Sequence, residues 1–163
     1  MAKNHEKVDI VGILSFGFFI LLIGTFFVVI PGLSNIIQNF FIDLNLTAIS
    51  SNNLTTIPSN IYIPSPSGAH PVLYNVLFQF CLIFAFFQIF ALFLRFLIKD
   101  LMKRKVRNFT DIFFWFGTAY LVFIFLNSQI SWIVFLGFLI TLLGLNIVLS
   151  NVIILIINLR RGR

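Results

Sequence analysis

Residues 10–30 read IVGILSFGFFILLIGTFFVVI, carry no charge, and end at Pro31-Gly32. An α-helix needs about 20 mostly apolar residues to cross ~30 Å of hydrocarbon. In a bilayer each backbone N–H and C=O must also be satisfied inside the protein, which a helix does within one segment. The pattern recurs at 72–98, VLYNVLFQFCLIFAFFQIFALFLRFLI, and at 132–157. A third span, 112–128, is uncharged but short before NSQIS, and must recruit Phe109 or residues up to Gln129 to complete a crossing. The reading is an all-α membrane protein, a four-transmembrane-helix bundle forming a single membrane domain over 1–163. Only 10% of the chain is charged, against about 25% in soluble domains.

Every Lys and Arg falls on one side of this layout. Lys3 and Lys7 precede the first span; Arg95, Lys99, Lys103, Arg104, Lys105 and Arg107 lie at or after the end of the second; Arg160, Arg161 and Arg163 follow the fourth. The segments 31–71 and 127–131 contain none. Basic residues concentrate on the cytoplasmic side, so both termini, the 99–111 loop and the 158–163 tail are expected there, in the plasma (cytoplasmic) membrane. The six residues from Arg95 to Arg107 are then an inner-interface mark of orientation. They would meet anionic lipid headgroups at about 1 kcal/mol per basic residue. Nucleic acid is not an expected partner, since a short basic loop pinned to a membrane offers no binding fold or stacking platform. The first span is read as a retained anchor: its apolar core exceeds the ~7–15 residues of a signal peptide and no small-x-small cleavage site follows.

Between the first two spans lies the outer segment, 31–71. In PGLSNIIQNFFIDLNL, the residues Leu33, Ile36, Ile37, Phe40, Phe41 and Leu44 recur at helical spacing among polar ones, the pattern of an amphipathic helix. Such a helix either lies on the membrane face or packs onto the rim of the bundle. The polar TAISSNNLTTIPSN that follows reads as an exposed loop, and Asn45 and Asn53 open glycosylation sequons. Asn108 opens a third, on the cytoplasmic side of this topology. Pro64, Pro66 and Pro71 make IYIPSPSGAHP extended and stiff, an irregular Pro-rich loop over the outer mouth. His70 is expected to make a local hydrogen bond or start a helix, not to bind metal.

Within the second span Tyr74, Cys81, Gln88 and Arg95 recur every seven residues on one helical face, with Ala85 and Ala91 nearby; that face should meet protein. Phe80, Phe84 and Phe87 form another stripe, toward lipid or neighbouring helices. Arg95 lies ~34 Å along the helix from Val72, where it can snorkel to the interface. Small residues mark close helix approaches, and Gly17 with Gly24, and Gly137, Thr141, Gly144 and Asn151, each share a face. Gln88 is ~24 Å along the second span, Asn146 ~21 Å along the fourth and Thr118 ~9 Å from the inner start of the third. With Ser150 they are expected to form a hydrogen-bonded polar layer, for packing or for a ligand.

No Asp or Glu falls inside any expected span, although ion-coupled transport commonly relies on one. Cys81 is the single cysteine, so no internal disulfide or dithiol centre exists. No cluster suits a metal or haem, no phosphate loop is present, and no hydrolase triad can be assembled. No catalytic residue, metal or cofactor is therefore assigned; a quinone or lipid site needs little more than aromatics and one polar group. The layout resembles claudin- and tetraspanin-type proteins in topology alone, without their outer-loop cysteines, and the resemblance carries no function. The expected role is a non-catalytic subunit or scaffold of a larger membrane complex, with other membrane subunits as partners. The alternatives are a homo-oligomeric pore or small-solute channel, and a quinone- or lipid-binding enzyme subunit.

Overall fold

A computed structural model of the protein describes residues 8–48, 62–66, 70–126 and 130–161. Lys3, Lys7, Asn53 and Arg163 lie outside the described residues. The elements run α1 (Ile10–Val29), α2 (Leu33–Ile42), β1 (Leu44–Ala48), β2 (Tyr62–Pro66), α3 (Pro71–Leu97), α4 (Met102–Leu126) and α5 (Trp132–Arg161). The helices α1, α3, α4 and α5 are long and apolar enough to cross a membrane, which marks an integral membrane protein.

The boundaries follow from local chemistry. Asp9 caps α1, its carboxylate accepting from the Gly12 amide at 2.8 Å. Gly32, at φ +73°, takes a left-handed turn open to glycine at little cost and starts α2. Pro71 sits in the first turn of α3, where its missing N–H loses nothing. The 99–111 segment, expected as a loop, is mostly helix: α4 begins at Met102. Lys and Arg are good helix formers, and the charge rule concerns the side of the membrane, not the backbone conformation. The outer segment also departs from an irregular loop, because β1 and β2 pair antiparallel from Leu44↔Pro66 to Ala48↔Tyr62. In a ribbon of two strands each has a free edge, where a proline's missing donor is tolerated.

The antiparallel pair α3 and α4 is the centre, with Ala85, Ala91, Ala119 and Val122 buried on or near the shared seam. Short side chains there let the backbones approach closely. The Phe80–Phe84–Phe87 stripe meets α1: Phe18 stacks on Phe87 at 3.9 Å, and Phe19 and Phe26 contact Phe84 and Phe80. Helix α5 flanks α4, with Phe125 stacked on Phe135 at 4.9 Å and Leu142 seated over Gly117. Helix α2 packs on the rim through Leu33, which is buried, and Phe40, which meets Tyr74 and Trp132. Its Phe41 and Ile42 remain exposed.

Candidate functional site

At the basic end of the bundle four charged side chains cluster: Asp9, Arg95, Asp100 and Arg104. Arg95, in the last turn of α3 and 5% exposed, donates through Nη1 to Asp9 Oδ1 at 2.9 Å and to Asp100 Oδ2 at 2.6 Å. Its Nη2 donates to Asp9 Oδ2 at 3.3 Å. Arg104, in the first turn of α4, donates to Asp100 Oδ1 at 3.2 Å and lies 3.7 Å from Asp9 Oδ2. Among the described residues two arginines meet two carboxylates, pairing charges that burial withdraws from water.

The turn carrying Asp100 ends α3 in a Schellman motif. The Asp100 amide donates to the Arg95 carbonyl at 3.1 Å and the Lys99 amide to that of Phe96 at 3.2 Å. Lys99 adopts φ +51° to make this possible. Asp100 then accepts from the Leu101 amide at 2.8 Å, opening α4. A basic first turn opposes the helix dipole, and the Asp100 carboxylate offsets it. Desolvation pushes the Asp9 carboxyl up, but the Arg95 hydrogen bond, the Gly12 amide and the charges of Arg95 and Arg104 hold it below its ordinary value. At Asp100 desolvation likewise acts upward and is outweighed by the Leu101 amide, the Arg95 bond and both arginine charges.

The six basic residues read as one interface mark therefore divide. Arg95 does not snorkel; it and Arg104 face inward to carboxylates. Lys99, Lys103 and Arg107 are exposed, and Lys105 lies over the Phe96 ring at 4.6 Å. The sequence pattern drew attention to the cations and gave no role to Asp9 or Asp100.

Gln88, Thr118, Asn146 and Ser150 do not bond to one another among the described residues. Gln88 Oε1 accepts from Asn108 Nδ2 at 2.6 Å, joining α3 to α4. Asn146 Nδ2 donates to Asp111 Oδ1 at 3.0 Å, joining α4 to α5. Thr118 and Ser150 donate to carbonyls of their own helices, Phe114 and Ile147. The expected single layer is replaced by two pairs, because Asn108 and Asp111, neighbours one turn apart on α4, each take one of the two amides. Asp111, assigned to a loop, lies within the third candidate span, correcting the expectation of spans without acids. Asn108, noticed only as a sequon, is 4% exposed. Extending the Thr118–Trp115 face back by helical steps to Asp111, Asn108 and Arg104 would have found both partners. The Oδ1 atoms of Asn108 and Asn146 are buried without a hydrogen bond, leaving this level of the bundle under-satisfied.

At the opposite end His70 Nε2 meets Asp43 Oδ2 at 3.1 Å, and the His70 carbonyl accepts from the Tyr74 amide at α3's start. Asn45 is exposed on β1. Among the described residues no three His, Cys, Asp or Glu side chains gather as metal ligands.

Helix α5 is the least enclosed element. Phe135 is its one buried residue among those described. Opposite the Phe135–Leu142–Asn146 face run Gly137, Thr141, Gly144 and Asn151. A Cβ added at either glycine would touch nothing within 4 Å. The polar groups of Thr141 and Asn151 bond back to the Gly137 and Ile147 carbonyls of α5 itself.

No family model, curated protein or solved structure matches this chain.

Proposed function

We propose that this protein is a non-catalytic integral-membrane subunit or scaffold that docks on another membrane chain through α5. The supporting observation is the Gly137–Thr141–Gly144–Asn151 stripe, turned away from its own bundle with open space over both glycines. In hydrocarbon, small residues let helix backbones approach closely, and polar side chains bond across the contact for ~0.6 kcal/mol on average. Beyond its bond to the Ile147 carbonyl, the Asn151 amide keeps its oxygen for a bond to another helix. In this reading the basic end is cytoplasmic, the membrane is the plasma membrane, and Lys99, Lys103, Lys105 and Arg107 contact anionic headgroups.

Gentle extraction from native membranes followed by native mass spectrometry tests it. A fixed-stoichiometry complex with a different chain is expected, lost in Gly144→Leu while Gly17→Leu on α1 retains it. A symmetric homo-oligomer that passes solutes in liposomes would instead establish the pore reading, with the same stripe turned toward a symmetry axis. A folded monomer with no partner would overturn both.

A further inference from the structure

A cleft of about 560 Å³ opens among all five helices toward the α2 end of the bundle. Its walls include Phe19 of α1, Phe40 of α2, Cys81 of α3, Trp115 of α4 and Leu136 of α5, and the lining is entirely apolar. Next to it, sharing Leu73, lies a smaller cleft of about 200 Å³ bordered by Asn39 and His70. The larger cleft is open on one side rather than enclosed, so what fills it comes from its surroundings. Water does not fill it, because an apolar wall offers none of the two to four polar partners a buried water needs. Hydrocarbon is the remaining occupant, and a bilayer supplies it. At somewhat under the ~30 Å³ that one water takes up, the space holds on the order of twenty methylene groups, which is one lipid tail.

The head is specified by charge. Residues 31–71 carry no Lys or Arg, so this end offers no cation to an anionic phosphate head. It offers instead the Asn39 amide and the His70–Asp43 pair, joined at 3.1 Å. These suit a head with no net charge that brings its own hydrogen-bond donors or its own cation.

We propose that the cleft binds one tail of a membrane lipid of no net charge, inserted beneath α2 with its head at Asn39 and His70. This rests on the cleft alone and not on the docking role of α5. Phe40, with its ring 5.2 Å from His70 and 6.0 Å from Trp132, stands where tail and head regions join.

The test uses the full chain, extracted in lipid nanodiscs and exchanged into a bulky branched detergent. One lipid of no net charge per chain is expected to survive exchange, read by native mass spectrometry with lipid identification. Cys81→Phe and Leu136→Trp, which fill the cleft from two walls, should lose it. Ile83→Phe, on a face of α3 outside the cleft, should keep it. Since those variants can disturb packing, the wild-type chain carries an independent reporter. Trp115 and Trp132, the two tryptophans of the chain, both line the cleft. In detergent their fluorescence should be quenched by added phosphatidylcholine with brominated tails, saturating at one lipid per chain. Phosphatidylglycerol with the same tails should quench far less. Equal quenching by both lipids would overturn the headgroup assignment. Absence of a retained lipid, with no saturable quenching, would overturn the site.

Discussion

Arg95 reaches 86 positions back along the chain to Asp9 and holds both carboxylate oxygens, at 2.9 and 3.3 Å. This contact fastens the start of α1 to the end of α3, and Asp100 completes it from the turn that follows. The side chains of Arg95 and Asp100 are 7% and 6% exposed, that of Asp9 25%. Removing one partner of a buried pair strands a charge, at a cost of about 3–5 kcal/mol. Asp100→Ala, which leaves both arginines to share Asp9, is therefore expected to destabilise by part of that amount and the more exposed Asp9→Ala by less, measured by denaturant titration in micelles. Arg95→Lys should not rescue, because an ammonium cannot bridge two carboxylates as a planar fork does. If Arg95→Lys matched the wild type, the geometry of the cluster would be irrelevant to stability.

The same cluster sets an acid limit. Desolvation raises both carboxyls, but their hydrogen bonds and the two arginines hold Asp9 and Asp100 below the ordinary value. A group whose folded pKa is depressed contributes stability that is complete above its unfolded pKa, about 3.9 for Asp. That contribution is lost as pH falls through the folded value. The melting temperature should thus keep the cluster's contribution down to about pH 4 and lose it below. An Asp9→Asn/Asp100→Asn double variant should start lower and fall less steeply in that acid range; a parallel fall in both proteins would remove the cluster as the cause.

Lys99 occupies the left-handed position of the Schellman turn at φ +51°, a conformation that costs a residue with a Cβ ~1–2 kcal/mol. Lys99→Gly should stabilise the protein, by up to about 1 kcal/mol once glycine's greater unfolded freedom is subtracted. Lys99→Val should destabilise it, since branching at Cβ worsens the clash. Equal effects from both in thermal unfolding would show that the turn does not constrain this residue.

Gly117 lies under Leu142, and a Cβ there would come within 3.0 Å of both Leu142 methyls. Gly117→Leu should cost about 1–3 kcal/mol by overpacking and loosen α5 from α4, with Leu142→Ala restoring part of the loss. Gly137→Leu, with open space at its Cβ, should leave the isolated chain's stability unchanged. Stability shifts of equal size at the two glycines would mean that α5 does not seat on α4 through this face.

Gln88 and Asn108 satisfy each other between α3 and α4 at 2.6 Å. Truncating either one to leucine should cost about 1–3 kcal/mol by orphaning the other, while replacing both should cost less than the two singles together. A double-mutant cycle measures the difference, and strict additivity would show that the bond carries no coupling.

Much of this architecture can be read in one dimension. Transfer into a bilayer is close to a sum over residues, so the four apolar stretches declare four spanning helices before any contact is known. The seven-residue recurrence of Tyr74, Cys81, Gln88 and Arg95 likewise identifies a buried face, because helical geometry converts spacing into direction. Pairing is a different kind of property. Whether Arg95 snorkels or turns inward depends on Asp9 and Asp100 arriving within 3 Å of it, and for Asp9 that means folding α1 back along α3. The partner of Gln88 is Asn108 and not Asn146, because α4 packs against both α3 and α5 and supplies each with its own partner. The sequence determined which segments enter the membrane and which end is basic, through energies that add along the chain. The tertiary structure decided which charges and amides neutralise one another, because those interactions depend on distances between residues far apart in sequence.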